Sequence, residues 1–332
     1  MEGANLRRTM NVLGMIMAGG EGSRLFPLTK ERAKPAVPFG GKYRLIDFVL
    51  SNFINSRIYS IYVLTQFKSQ SLTEHLQEGW RFGSILPNHF ILPVPAQKRT
   101  GESWYQGTAD AIYQNINLIE GSKFDLVLIF GADHIYRMDI QQMIDFHRRK
   151  KADVTISALP VPIKEATSFG VIQVDAKNMV VGFQEKPSRP KAIPGRPQEA
   201  FASMGNYIFN TDFLLSILKE DAAMKDSSHD FGKDILPRIY KTNRVFTYDF
   251  CTNRIPGLTR KEYGYWRDVG TIQSFWEANM DLRNIKPEFN LYTPGWPIKT
   301  TSFEGPPAKF VFNEDGRRGQ AVNSEHVGEV GP

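Results

Sequence analysis

An apolar run that ends in a glycine bend sets the tightest limit on how this chain can fold. Met15-Ile16-Met17-Ala18 leads straight into Gly19-Gly20-Glu21-Gly22-Ser23-Arg24-Leu25. The run reads as a buried parallel strand, because strands covered on both faces are continuously apolar. The glycines let the backbone turn sharply and bring its N–H groups close to a ligand. Successive N–H groups around one concavity bind anions, and Arg24 adds a planar fork for phosphate oxygens. Such a bend puts ligand binding at the carboxyl edge of a doubly wound sheet. The loop lacks the lysine-hydroxyl pair of a P-loop, and Leu25 stands where a dinucleotide fingerprint requires its third glycine. A plain tight turn competes with the phosphate reading here, so residues further along must decide.

Strand and helix patterns alternate downstream. Ser60–Thr65, Asp125–Phe130 and Asp153–Leu159 predict strands, while Gln70–Gly79, Gly107–Glu120 and Asp139–Lys151 predict helices. Ala109, Ile112, Tyr113, Ile116 and Ile119 share one face of the second helix. This alternation predicts an α/β fold: a Rossmann-like, mostly parallel mixed sheet with helices on both faces. Gly170–Asp175 and Met179–Phe183 predict a hairpin on its flank. Ala202–Asn210 predicts a further strand, with Thr211 capping a helix that runs to Glu220. Phe231–Lys241 predicts another helix, and Ser188–Pro197 an exposed loop. Regularity fades after Pro287. Residues 1–290 are expected to form a catalytic domain, and 291–332 a linker or irregular tail.

Composition narrows the function classes. The net charge of +6 is spread among acidic residues rather than gathered in a stripe, which argues against a nucleic-acid partner. A small polyanionic ligand accounts for that mild excess. The densest basic run, His147-Arg148-Arg149-Lys150-Lys151, reads as the solvated end of a helix. The single cysteine, Cys251, excludes an internal disulfide framework and reads as a packed, idle thiol. No apolar stretch has membrane-spanning length, so no membrane partner is expected, and the expected location is the cytoplasm. The absence of a Gly-x-Ser-x-Gly elbow argues against serine hydrolase chemistry.

Several segments carry residues suited to phosphate chemistry. In Phe130-Gly131-Ala132-Asp133-His134, Asp133 falls just past a strand's carboxyl end, where a carboxylate can hold Mg²⁺ against phosphate oxygens or merely cap the next turn. Asp268 lies among aromatics and glycines in Tyr263–Thr271, as a second metal ligand or as part of a packed corner. Lys186, between a strand and Pro187, suits a phosphate monoester, and Glu185 could accept bonds from hydroxyls; an ordinary surface ion pair is the alternative. Lys34, set before Pro35, could converge with Arg24 on a leaving pyrophosphate; a solvated charged face is the alternative. Trp104–Asp110 opens the second predicted helix, whose amino terminus favours anions. Tyr105 could pack on a sugar, and Gln97 could read a base edge; aromatics that merely enter the core at a helix start are the alternative. The histidines show no metal-ligand spacing with a cysteine or another histidine.

Taken together, these segments resemble the bacterial glucose-1-phosphate adenylyltransferases, also called ADP-glucose pyrophosphorylases, among the sugar-phosphate nucleotidyltransferases. The resemblance runs from about Val12 to Phe312. It includes the glycine loop, Arg32–Arg44, Trp104–Asp110, Asp133–Tyr136, Ser168–Val171, Glu185–Pro187, Ala202–Gly205, Ser227–Asp234 and Tyr265–Thr271. The loop is shared across sugar-phosphate nucleotidyltransferases. Ser227-Ser228-His229-Asp230-Phe231-Gly232 and Tyr265-Trp266-Arg267-Asp268-Val269-Gly270 are far more specific.

The resemblance implies a GT-A-like nucleotidyltransferase fold and transfer of AMP from ATP to α-D-glucose 1-phosphate, the committed step of bacterial glycogen synthesis. It implies Arg24, Lys34 and Asp133 as catalytic residues, and Mg²⁺ held by Asp133 and Asp268. Tyr105, Gly170, Glu185, Lys186 and Ser203 would contact glucose 1-phosphate. Gly19, Gly20, Gly22, Arg24, Gln97 and Gly107 would line the nucleotide site. Lys42 resembles a position near the activator site of some members, as befits an allosteric family. A homotetramer is implied too, as is a following left-handed β-helix domain; Glu325–Pro332 shows no hexapeptide repeat, so either the chain is truncated or that domain is missing. The same chemistry with another nucleoside triphosphate or sugar 1-phosphate stays open, as does a non-catalytic regulatory subunit.

Overall fold

A computed structural model describes residues 10–81, 88–99, 103–121 and 123–302, and the backbone of 309–312, 319–323 and 326–330. The chain divides into two compact units between Thr300 and Thr301.

The first unit is built on a nine-stranded mixed sheet. It opens with β1 (Val12–Met17), followed by a small hairpin of β2 (Pro38–Phe39) and β3 (Tyr43–Arg44) and by α1 (Leu45–Asn55). Next come β4 (Ser60–Thr65), α2 (Gln70–Gly79) and β5 (Phe90–Pro95). Then follow α3 (Thr108–Tyr113), α4 (Ile116–Glu120), β6 (Leu126–Gly131), the short β7 (His134–Tyr136) and α5 (Ile140–Lys150). β1 pairs in parallel with both β4 and β6, and β4 with β5. The other half contains β8 (Val154–Pro162), β9 (Gly170–Val174), β10 (Val180–Glu185) and β11 (Glu199–Asn210). After α6 (Thr211–Ala222) and α7 (Leu236–Ile239), β12 (Val245–Asp249) adds in parallel to β8. The long β11 runs antiparallel to β6, β8 and β9, and so joins the parallel half to the flank. Its register shifts between Ser203 and Tyr207, a bulge that re-aims side chains at the sheet's edge. Off the sheet, β13 (Trp266–Asp268) pairs only with β7, and α8 (Ile272–Met280) follows.

Period-2 alternation decides which side chain enters which core. Val127 and Ile129 of β6 join one cluster with Leu13 and Met15 of β1 and Leu214 and Leu218 of α6. Leu126, Leu128 and Phe130 join the opposite cluster with Val49 and Phe53 of α1 and Met143 of α5. The sheet is therefore covered on both faces, as a continuously apolar β1 and β6 demand.

Some expected elements differ. The helix expected over Gly107–Glu120 is broken into α3 and α4. Asn115 is the cause: its side chain donates to the Ala111 carbonyl (2.8 Å), while its own N–H turns back to Ile112. A side chain that takes over a ladder carbonyl competes with helix. Thr211 is the first residue of α6, and Asn210 holds the cap position. The helix expected from Phe231 begins as a π turn over Phe231–Ile235, whose first N–H groups (Gly232, Lys233) are accepted by Asp230. β5 holds Pro93 and Pro95 at the sheet's edge, where a missing N–H costs least.

Cys251 is half-buried, and burial above all, with Asp249 next, raises its thiol to about 11. Among the described residues, no helix is long and apolar enough to cross a membrane. The second unit, in the stretch expected to be irregular, carries three antiparallel strands: β14 (Lys309–Phe312), β15 (Gly319–Asn323) and β16 (His326–Val330).

Candidate active site

The bend after β1 owes its shape to Gly22, whose φ of 67° lies in the left-handed region. A Cβ there would also stand 2.9 Å from the Lys34 side chain. Thr29 ties the loop down by donating to the Gly22 carbonyl (3.0 Å), and Leu25 anchors it in the core. Arg24 is thereby left exposed. Its guanidinium reaches Gly270: a Cβ there would lie 3.4 Å from Arg24 Nη2 and 3.0 Å from Asp268 Oδ1.

The two aspartates meet through the β7–β13 ladder. Its antiparallel register sets Asp268 opposite His134, the residue next to Asp133. Lys34, buried in the short turn Lys34–Ala36, donates to Asp133 Oδ2 (2.8 Å) and lies 3.7 Å from Asp268 Oδ1. Burial alone would raise the Asp133 carboxyl. The His134 and Lys34 charges and the Lys34 hydrogen bond outweigh burial and hold it at about 2. His134 Nε2 lies 3.4 Å from Asp133 Oδ1, and its ring packs on Trp266 with centroids 4.9 Å apart. His134 Nδ1 and Trp266 Nε1 are buried without a hydrogen-bond partner.

Donor atoms of Asp133, His134 and Asp268 lie within 4.8 Å of one another. Gly131 and Gly270 leave this space open, since a Cβ at either would come within 3.1 Å of Asp133 Oδ1 or 3.0 Å of Asp268 Oδ1. Two carboxylates with room around them suit a hard divalent cation that keeps sites for substrate oxygens. The residues present therefore fit such an ion.

Two hollows flank the end of β1. One, of about 270 Å³, is lined by Gly170, Glu185, Lys186, Ser203, Arg24 and Asp268 among others. The other, of about 300 Å³, is lined by Gly19, Gly20, Tyr105, Gly107 and Gln66 among others. Met17, Thr108 and Asp230 line both. Thr108 Oγ1 donates to Asp230 Oδ2 (3.0 Å) and accepts from the Phe231 N–H (3.0 Å), which fixes the partition.

Most expected site residues come together here. Lys186 stands at φ 45°, its N–H donating to the Phe169 carbonyl (3.0 Å) and its Nζ 3.9 Å from Glu185. A Cβ on Gly170 would meet Glu185 Oε2 at 3.0 Å, so glycine gives that carboxylate room. Tyr105 lies on the glycine-loop side of the partition, with its hydroxyl accepting from Asn115 (2.9 Å). Gln97 is exposed and accepts from Arg99, and it lines neither hollow. Lys42 is exposed over the Tyr43 ring, also outside both. The amino terminus of α3 is not open to an anion, because the His229 carbonyl accepts from Ala109 (2.8 Å) and Asp110 (3.2 Å).

Thr108, Asp230 and His134 escaped sequence reasoning. Thr108 and Asp230 stand 122 residues apart, and no local pattern links them. Spacing to cysteine or histidine does not mark His134, whose Nε2 lies 3.4 Å from Asp133 Oδ1 and which shares a donor cluster with Asp268.

The nucleotidyl transferase family model matches residues 13–285. Glucose-1-phosphate adenylyltransferase of Thermus thermophilus is 56% identical over 326 residues, covering 97% of this chain and 78% of the relative. The enzyme of that name from Aliivibrio fischeri is 58% identical over 306 residues, covering 92% and 75%. Glucose-1-phosphate adenylyltransferase 1 of Vibrio cholerae is 58% identical over 304 residues, covering 92% and 74%.

Proposed function

Because the chain belongs to the nucleotidyl transferase family, we propose that its cleft transfers AMP from ATP to α-D-glucose 1-phosphate. A phosphate oxygen of glucose 1-phosphate attacks the α-phosphorus of ATP, the bond from that phosphorus to the bridging oxygen breaks, and pyrophosphate leaves. ADP-glucose is the product, the glucosyl donor for bacterial glycogen synthesis. The nucleophile is already an anion at neutral pH, so the protein's task is to align two polyanions and offset their repulsion.

One observation carries the reading: a single buried lysine lies against two aspartates that stand far apart in sequence, and one of them, Asp268, lines the first hollow. In the hollow nearer β10, Lys186 holds the sugar phosphate and Glu185 accepts from sugar hydroxyls. Burial raises the Tyr207 phenol, with Asp230 and Glu185 acting the same way, so it stays a hydroxyl donor beside Ser203. On the other side, the glycine-loop N–H groups face the triphosphate. Arg24 and Lys34 stabilise the charge that builds on the leaving pyrophosphate. Mg²⁺ is the cation proposed for Asp133 and Asp268; when bound it screens phosphate charge and polarises the reacting phosphorus. A homotetrameric assembly and a cytoplasmic location go with this reading. Mass in solution and cell fractionation test them.

Pyrophosphate release from a panel of nucleoside triphosphates and sugar 1-phosphates, with and without Mg²⁺, tests the reaction. Turnover is expected with ATP and glucose 1-phosphate and is expected to fall away without the metal. Faster turnover with UTP or mannose 1-phosphate would reassign the substrates. Calorimetric binding of both ligands by a folded sample that never turns over would mark a regulatory subunit.

A further inference from the structure

Lys34 is seated against two carboxylates. Its backbone is fixed: Ala33 N–H donates to the Lys68 carbonyl (3.2 Å), and Val37 N–H closes the turn on the Lys34 carbonyl (3.0 Å). Its ammonium, on a side chain only 10% exposed, lies 2.8 Å from Asp133 Oδ2 and 3.7 Å from Asp268 Oδ1. Asp133 and Asp268 are two of the three residues whose donor atoms lie within 4.8 Å of one another and fit a divalent cation. We propose that Lys34 and the metal compete for the same two carboxylates, and that the nucleotide opens the metal site by drawing the ammonium away.

The argument rests on the nucleotidyl-transfer reading and on simple electrostatics. A small divalent ion needs carboxylate oxygens at about 2.0–2.1 Å, which leaves no place for an ammonium on the same oxygens. The two cations also repel at that range. A lysine head is a compact point charge on a flexible stem, so it can leave while its backbone stays. A triphosphate entering beside Arg24 offers it another anion. Lys34 would thus pass from the aspartates to the phosphates as the metal takes its place. Metal and nucleotide binding would be positively coupled through one side chain. His134, 3.4 Å from the other Asp133 oxygen, would keep that carboxylate oriented during the exchange.

Titration of the full chain with Mn²⁺ alone, followed by the loss of the free-ion paramagnetic resonance signal, tests this without turnover. Lys34→Met should bind Mn²⁺ roughly tenfold tighter than the unaltered chain, the size of one partly buried ion pair removed from competition. Lys186→Met takes the same charge from the neighbouring hollow without touching the aspartates, and should change the affinity less than about twofold. Lys34→Gln serves if circular dichroism shows that the methionine variant fails to fold. Unchanged or weaker Mn²⁺ binding in the uncharged Lys34 variants would overturn the exchange, and so would equal tightening in Lys186→Met. Pyrophosphate release by the unaltered chain is read separately, so loss of this inference leaves the reaction standing, and loss of the reaction shows in its own assay.

Discussion

Asp133 is held ionised from two sides, by Lys34 at 2.8 Å and by His134 at 3.4 Å. Asp133→Asn keeps the volume and an oxygen for Lys34 but removes the charge. Turnover should fall by about 10²-fold or more in the pyrophosphate assay, while the unfolding free energy drops by no more than about 2 kcal/mol. The acid limb of the stability curve gives an independent reading. The folded carboxyl sits at about 2, below its ordinary 3.8, so its contribution is complete above the ordinary value and is lost as pH falls through about 2. Asp133→Asn should flatten the acid unfolding profile between those values, and the stability it loses should be greatest and constant from the ordinary value up through neutrality. The position of Asp133 just past a strand's carboxyl end was legible in the sequence, because an apolar run ends beside it. The placement of His134 was not, because the groups near it, a neighbouring carboxylate and one brought by a distant strand, leave no spacing to read.

Elements show the same division. β1, β4, α2, β6 and the β9–β10 hairpin were legible because each carries its own period, apolar runs or alternation that the two cores then bury. The β7–β13 ladder was not, since three residues on each side give no periodicity and their pairing is set by tertiary packing. α3 was legible as helix, but the loop crossing its start was not. At Gly107 an added Cβ would lie 2.4 Å from the Ser228 carbonyl oxygen and 2.3 Å from that of His229. Those are backbone atoms, and the His229 carbonyl caps α3, so the crossing cannot yield cheaply. Gly107→Ala should cost about 1–3 kcal/mol and displace Asp230 from Thr108. Thermal melts would show the first effect. The second should appear as a raised KM for both substrates with a smaller change in kcat.

For the first unit as a whole, packing runs past the boundary expected at 290. Phe289, Leu291, Trp296 and Ile298 are buried, three of them in a cluster with Phe48 and Tyr265. Trp296 Nε1 donates to Asn52 (3.3 Å), and Lys299 N–H donates to Ser51 (2.8 Å). The segment also closes over Arg137, the residue after β7. Arg137 donates to the Trp296 carbonyl (3.2 Å), pairs with Glu262 (3.4 Å) and stacks on Phe289 at 4.5 Å. Burial pushes its guanidinium down to about 10, against the pull of Glu262, so it stays charged at neutral pH. Proline and glycine in Tyr292–Pro297 make this stretch read as a loop, yet it buttresses the ladder that joins Asp133 to Asp268. A chain ended after Glu288 exposes the Arg137–Glu262 pair and forfeits four large apolar contacts, on the order of 5 kcal/mol or more. Against a chain ended after Ser302, it should melt about 10 °C lower. It should also lose most of its pyrophosphate release at temperatures where circular dichroism still reports a folded sheet. Equal activity per folded molecule in the two chains would mean that the ladder holds its geometry without the buttress.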